Sequence, residues 1–183
     1  MGYLLLIAGI ALWSGAHLFK RLAPERRAAM GDSAKGLVAA LSVLAIVMMT
    51  FGYQWAPTVG LWHSPPFLTH VNNLLMLFAI YLFVASAMQT AITMRIRHPQ
   101  LTAVKTWAVG HLLVKGTLEA VILFGGLLAW AVVSVIMINR AQRHWDRPGP
   151  SGWPREAVAV LIALVVTFAI GHIHAWLGVW PFG

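Results

Sequence analysis

Long apolar stretches, each cut off by a proline, a glycine or a basic pair, limit this chain more than any other feature. A helix needs about 20 residues to cross the hydrocarbon core of a bilayer. Stretches of roughly that kind run from Tyr3 to about Leu22, Gly36 to about Trp55, about Phe67 to Gln89, about Pro99 to Val114, Thr117 to about Ile138, and Glu156 to about Leu177. Lys20, Arg21 and Pro24 close the first, Pro57 the second, and Arg95 with Arg97 the third. Pro99 suits the first position of a helix, so the fourth starts there, carries Lys105 and breaks at Gly116. The expected fold is all-α: a polytopic membrane bundle of six transmembrane helices forming a single domain over residues 1–183.

The charges orient this bundle. Twelve of the thirteen lysines and arginines fall in three segments, Lys20–Lys35, Arg95–Lys105 and Arg140–Arg155. Basic loops stay on the cytoplasmic side, so six spans leave both termini non-cytoplasmic. Lys115 is the exception; it stands four residues before Glu119, a spacing that allows an ion pair if the chain stays helical there. Hydrophobic residues make up 60% of the chain and charged ones 10%, against about 25% charged in a soluble domain. Lipid is therefore the expected surroundings. The net charge of +8 sits at span ends with no aromatic-interleaved basic groove, which argues against a nucleic-acid partner. The chain has no cysteine, which excludes disulfides, thiolate metal sites and c-type haem attachment. The first stretch lacks a basic n-region and a cleavage site, so it reads as a retained span and not as a signal peptide.

Ionisable residues inside a span are costly and call for a functional hypothesis. His17 lies three residues before Lys20, and His111 six residues after Lys105. If those lysines mark the interface, the imidazoles sit about 5 Å and about 9 Å inside it, at similar depth on antiparallel helices. Both belong to a five-residue echo, Trp13-Ser-Gly-Ala-His17 and Trp107-Ala-Val-Gly-His111, with small residues that admit a flat ligand and a tryptophan one turn away. Two neutral imidazoles facing each other across a bundle are what six-coordinate haem b requires. Its carboxylates would then point to the cytoplasmic side, where Lys20, Arg21, Arg97, His98 and Lys105 offer charge-assisted partners. The alternative stays open that each histidine merely hydrogen-bonds a neighbouring helix.

The remaining histidines divide by position. His98 precedes Pro99 at the interface. His70, with Thr69, Asn72 and Asn73, and His172 with His174 lie toward the opposite side, where they form a polar pocket, a zinc site or a proton path. Two histidines two apart on a helix point about 200° apart, which disfavours one metal for both. His63 and His144 fall in loops. No paired carboxylates fall within a span, no phosphate loop or Ser-His-Asp arrangement is present, and Gly125-Gly126 suits close helix packing.

The run Arg97-His98-Pro99-Gln100, then Trp107, Gly110-His111-Leu112-Leu113, Leu123-Phe124-Gly125-Gly126 and Trp130, resembles the centre of NnrU-family membrane proteins. Ser14-Gly15-Ala16-His17, Leu68-Thr69-His70 and the closing stretch from His174 to Pro181 resemble the family as well, so the likeness covers nearly the whole chain. The family includes bacterial proteins linked to production of nitrite and nitric oxide reductases, and a plastid ζ-carotene isomerase. The resemblance implies a multi-pass protein of the bacterial inner membrane. It implies haem b, with His17 and His111 at the positions of the isomerase's axial histidines. The isomerase's exchangeable cysteine ligand is replaced here by Ala108, so thiolate exchange is impossible at that position. The expected function is a haem-binding membrane factor for nitrite and nitric oxide respiration. A haem-dependent cis-trans isomerase of a polyene such as ζ-carotene, its substrate entering from lipid, is the alternative. A small-solute transporter using the layer of His70, Asn72 and His174 is a third.

Overall fold

The structure, a computed structural model, describes residues 1–149 and 151–182; Pro150, within the predicted basic loop, and Gly183 lie outside them. The helices are α1 (Gly2–Leu22), α2 (Pro24–Ala29), α3 (Ser33–Trp55), α4 (Phe67–Met88), α5 (Pro99–Val114), α6 (Leu118–Ala141) and α7 (Trp153–Trp176). A 3-10 turn, Ala91–Met94, joins α4 to α5. The boundaries follow local chemistry. Pro24 opens α2, Pro99 opens α5, and Pro154 sits in the first turn of α7, where the missing N–H has no helical partner to lose. Gln89 ends α4 in the left-handed region at φ 52°.

Five helices, α1, α3, α4, α6 and α7, are long and apolar enough to cross a membrane. The expected sixth, α5, has 16 residues and is about 24 Å long, short of a bilayer core of about 30 Å. It lies inside the bundle between α4 and α6. Contacts run across the bundle in the order α3, α1, α6, α5, α4, α7. The chain therefore folds its fifth helix between its fourth and sixth, while α3 and α7 sit at the two flanks. Those flanks expose Val43, Leu44, Val47, Leu161, Val165 and Phe168, the outward apolar face that a lipid bilayer requires.

Close backbone approach holds α1 against α3. A Cβ on Gly52 would run into the backbone of Leu6, and one on Gly9 would come within 2.9 Å of Met49. Small residues at such seams bring helices near enough for dispersion to hold them without a hydrophobic drive. Behind this seam, Leu6, Ala45, Met49 and Leu127 are buried together. Two further clusters, Ala79–Leu82–Ala103 and Ala108–Ala120–Phe124, continue the core through α4, α5 and α6. Trp107 packs against all three clusters.

At the end of the bundle away from the basic segments, residues 57–66 form a cap. The amides of Leu61 and Trp62 donate to the Gly116 carbonyl at 2.7 and 3.2 Å, and the Leu118 amide donates to Val59 at 2.9 Å. Ser64 donates to the Leu113 carbonyl at 2.6 Å and Tyr3 to the Pro57 carbonyl at 2.5 Å. A Cβ at Gly116 would strike the Trp62 carbonyl, so glycine is required by close approach. This break also removes the anticipated Lys115–Glu119 pair. Lys115 leaves the helix at φ −112°, ψ 87° and Thr117 is extended, so the four-residue helical spacing does not exist there. Lys115 is exposed, whereas Glu119 is buried with one carboxylate oxygen unpartnered.

Candidate functional site around two histidines

His17 and His111 share one local geometry. The His17 Nδ1 lies 2.9 Å from the Trp13 carbonyl, and the His111 Nδ1 lies 3.0 Å from the Trp107 carbonyl. A carbonyl only accepts, so Nδ1 carries the hydrogen and Nε2 keeps its lone pair in both rings. This is the tautomer a metal-ligating imidazole adopts. His172 and His174 make the same bond to Phe168 and Ile170 at 2.9 Å. The bond is therefore a habit of helical histidines in this protein, and the surroundings must decide which ones matter.

The His17 ring stacks on Trp13 with centroids 4.0 Å apart and meets the edge of Trp130 at 5.2 Å; the two indoles lie 5.6 Å apart. Beside this trio is a cavity of about 430 Å³, walled by Trp13, His17 and Leu18 of α1, Phe83 of α4, Gln100, Leu101 and Val104 of α5, and Trp130, Ser134 and Ile138 of α6. The indole nitrogens of Trp13 and Trp130 are buried without a partner. Unsatisfied donors of this kind call for an explanation, and two of them flank one imidazole here.

His111 stands elsewhere. Its ring stacks on Phe124 at 4.5 Å and 23°, with Trp107 at 5.2 Å. Phe124 belongs to a π-helical turn, Val121–Gly125, inside α6; such turns recur at functional sites. Gly110 abuts α4, where a Cβ would come within 2.8 Å of Asn72 Oδ1. Gln100, Val104, Trp107 and His111 follow one another at helical spacing on one stripe of α5. Val104 faces the His17 cavity, and His111 is seven residues further on, about 10 Å along the axis. On α6, Trp130 touches His17 and Phe124 touches His111, six residues or about 9 Å apart.

The expectation of similar depth takes Lys105 as an interface marker, but α5 begins at Pro99 and Lys105 is half-buried within it. A long lysine stem reaches out from inside a helix, so its Cα does not mark the boundary. Each imidazole has the chemistry of a metal ligand; His17 lines the cavity, and His111 is not among its lining residues.

The expected carboxylate partners are also distributed differently. Arg97 donates to the Gln142 carbonyl and, at 3.2 Å, to the His144 carbonyl. His98 Nε2 bonds Asn139 Oδ1 at 2.8 Å. These two residues tie the start of α5 to the end of α6. Lys20 is exposed in the last turn of α1. His144 is an exposed partner of Asp146 at 3.0 Å, and His70 is exposed. Among the described residues no group of three or more His, Asp or Glu side chains is placed to hold a metal ion, so the zinc arrangement does not form there.

A comparison with protein-family models matches residues 5–181 to the NnrU protein family. The chain belongs to the NnrU family. No curated protein and no solved structure matches it. For this NnrU chain, sequence reading undervalued three residues. Trp130 appeared only as part of a motif, and its contact with His17 depends on how α1 meets α6. Phe124 was likewise read as motif, without its ring contact to His111. Glu119 was detectable, being an acid inside an apolar stretch, but helical continuity with Lys115 was assumed. Tyr53 of α3 lies near it.

Proposed function

We propose that this NnrU-family protein binds haem b in the bacterial inner membrane, with both termini non-cytoplasmic, and supports nitrite and nitric oxide respiration. The observation that carries the reading is His17, an imidazole with a free Nε2 beside an apolar cavity flanked by two unpartnered indole donors. Haem b supplies a redox-active iron that takes ligands along its axis. The protein's part is to hold and orient. The Trp13 carbonyl fixes the His17 tautomer, and the Trp13 and Trp130 rings restrain the imidazole plane. Phe83, Leu101 and Ile138 keep water from the cavity, and Lys20 and Arg21 in the last turn of α1 offer charge to carboxylates at that end.

The apolar walls also favour a second reading, a cis-trans isomerase whose polyene substrate enters from lipid. Ala108 is fully buried against Ala120 and Phe124, away from the His17 cavity, and supplies no ligand for a switch. The decisive measurement is an absorption spectrum with a pyridine haemochrome assay on detergent-purified protein. About one haem b per chain is expected. Absence of haem after growth with excess precursor, and after titration with haemin, would sink the haem reading. Chromatography of carotene isomers after incubation with the reduced protein decides between the two roles; haem-dependent turnover would make isomerisation the function.

A further inference from the structure

At the basic end of the bundle a second cavity, of about 480 Å³, opens where α4 ends. Ser86 in the last turn of α4 and Gln89 just beyond it line one part; Arg97 before α5 and the run Trp145-Asp146-Arg147 after α6 line another. Arg97 uses one Nη to donate to the Gln142 and His144 carbonyls. The Arg147 guanidinium lies over the Trp145 ring, 5.2 Å from its centroid. The Nε and second Nη of Arg97, and the whole donor fork of Arg147, have no protein acceptor among the described residues. Such forks match the oxygens of a phosphate. The remaining charged liner is Asp146, whose Oδ1 lies 3.0 Å from His144 Nε2.

We infer that this cavity holds the headgroup of a membrane lipid that carries a phosphodiester and a primary ammonium, the phosphate on Arg97 and Arg147 and the ammonium beside Asp146. Both signs of charge line the cavity. A plain anion there meets the Asp146 carboxylate as a like charge, whereas a zwitterion answers the arginines and the aspartate together. A membrane source follows from position. Ser86 stands two residues before the end of a helix long and apolar enough to span, which is the depth of the headgroup layer, and basic pockets between spans at that depth take lipid phosphates. Phe83, one turn deeper on the same side of α4, is 44% exposed and offers its ring to an acyl chain. This site is separate from the cavity beside His17, and the inference does not use the haem reading.

The test is native mass spectrometry of the full chain in detergent, washed free of copurified lipid and titrated with phosphatidylethanolamine, with phosphatidylglycerol, or with soluble glycerophosphoethanolamine. Wild type is expected to take up one phosphatidylethanolamine per chain at a saturable site, to bind phosphatidylglycerol more weakly, and to keep its lipid against an equal concentration of the soluble headgroup. Arg147→Gln, at an exposed position that makes no hydrogen bond within the described residues, should weaken phosphatidylethanolamine binding by about tenfold, the loss of one charge-assisted contact. Asp146→Asn should erase the preference for phosphatidylethanolamine over phosphatidylglycerol. Arg143→Gln, in the same basic segment but outside the cavity lining, should bind as wild type does. Arg97→Gln also cuts a tie between α5 and α6, so Arg147→Gln decides if that variant fails to fold. The inference is overturned if no saturable lipid binds, if Arg143→Gln and Arg147→Gln weaken binding equally, or if wild type takes phosphatidylglycerol as well as phosphatidylethanolamine. Displacement of the lipid by the soluble headgroup at equal concentration would also overturn it, because the site would then serve a free phosphodiester and not a membrane lipid.

Discussion

Single residues in this protein carry opposite lessons about burial. His17 is a polar group whose one buried hydrogen is satisfied by its own helix, leaving a lone pair for a ligand. Glu119 is 5% exposed, with one carboxylate oxygen unpartnered and no ion pair among the described residues. Burying a carboxylate without a cation is costly, and an isosteric amide removes the charge while adding donors. Glu119→Gln is therefore expected to leave thermal stability in detergent unchanged or to raise it by about 1–3 kcal/mol. A clear loss of stability on that substitution, read by thermal unfolding, would show that the carboxylate holds a partner in the folded protein.

Helices here are positioned by where side chains are missing. Gly52 lets α3 reach the backbone of α1, and no flexible side chain is available to give way, because the neighbouring atoms belong to the Leu6 main chain and Cβ. Gly52→Ala is expected to lower the melting temperature by an amount equivalent to about 1–3 kcal/mol, the usual cost of forcing atoms into a packed seam. Gly36, on the same helix, would meet nothing within 4 Å. Gly36→Ala should change stability by no more than about 1 kcal/mol, in the stabilising direction. Equal melting temperatures for the two variants would mean that α1 and α3 do not meet at this seam. The π turn in α6 belongs to the same scale. Nothing in the run Val121–Gly125 announces a widened turn; it lies where Phe124 of α6 meets Trp107 and His111 of α5.

The whole molecule is expected to sit with Arg26 and Arg143 on the cytoplasmic side and Trp62 outside. Alternating helix directions put the first two at one end of the bundle and the cap containing Trp62 at the other, and the basic bias chooses which end faces the cytoplasm. Because the chain has no cysteine, single cysteines introduced at positions 26, 62 and 143 report sidedness through a membrane-impermeant thiol reagent. Labelling of positions 26 and 62 from the same side would refute this topology.

Most of the secondary structure was legible in the sequence. Apolar length, Pro24, Pro99, Pro154 and Gly116 mark the helix ends to within a few residues, since hydration and backbone geometry act locally. The predicted start and end of α5, Pro99 and Val114, match the structure. The local bonds of His17 and His111 were also implicit, because a bond to the fourth preceding carbonyl depends on helix geometry alone. What the sequence by itself determined is thus an all-helical, lipid-adapted chain with its charges gathered at one end. Only the tertiary structure decided that α5 is an inserted helix too short to span alone, that Trp130 meets His17, that Phe124 covers His111, and that His17 rather than His111 lines the cavity. The physical reason is that these contacts are relations between helices. They depend on the axial offset of each helix against its neighbours, and that offset is set by glycine seams, bulky rings and end ties contributed by residues far apart in the chain.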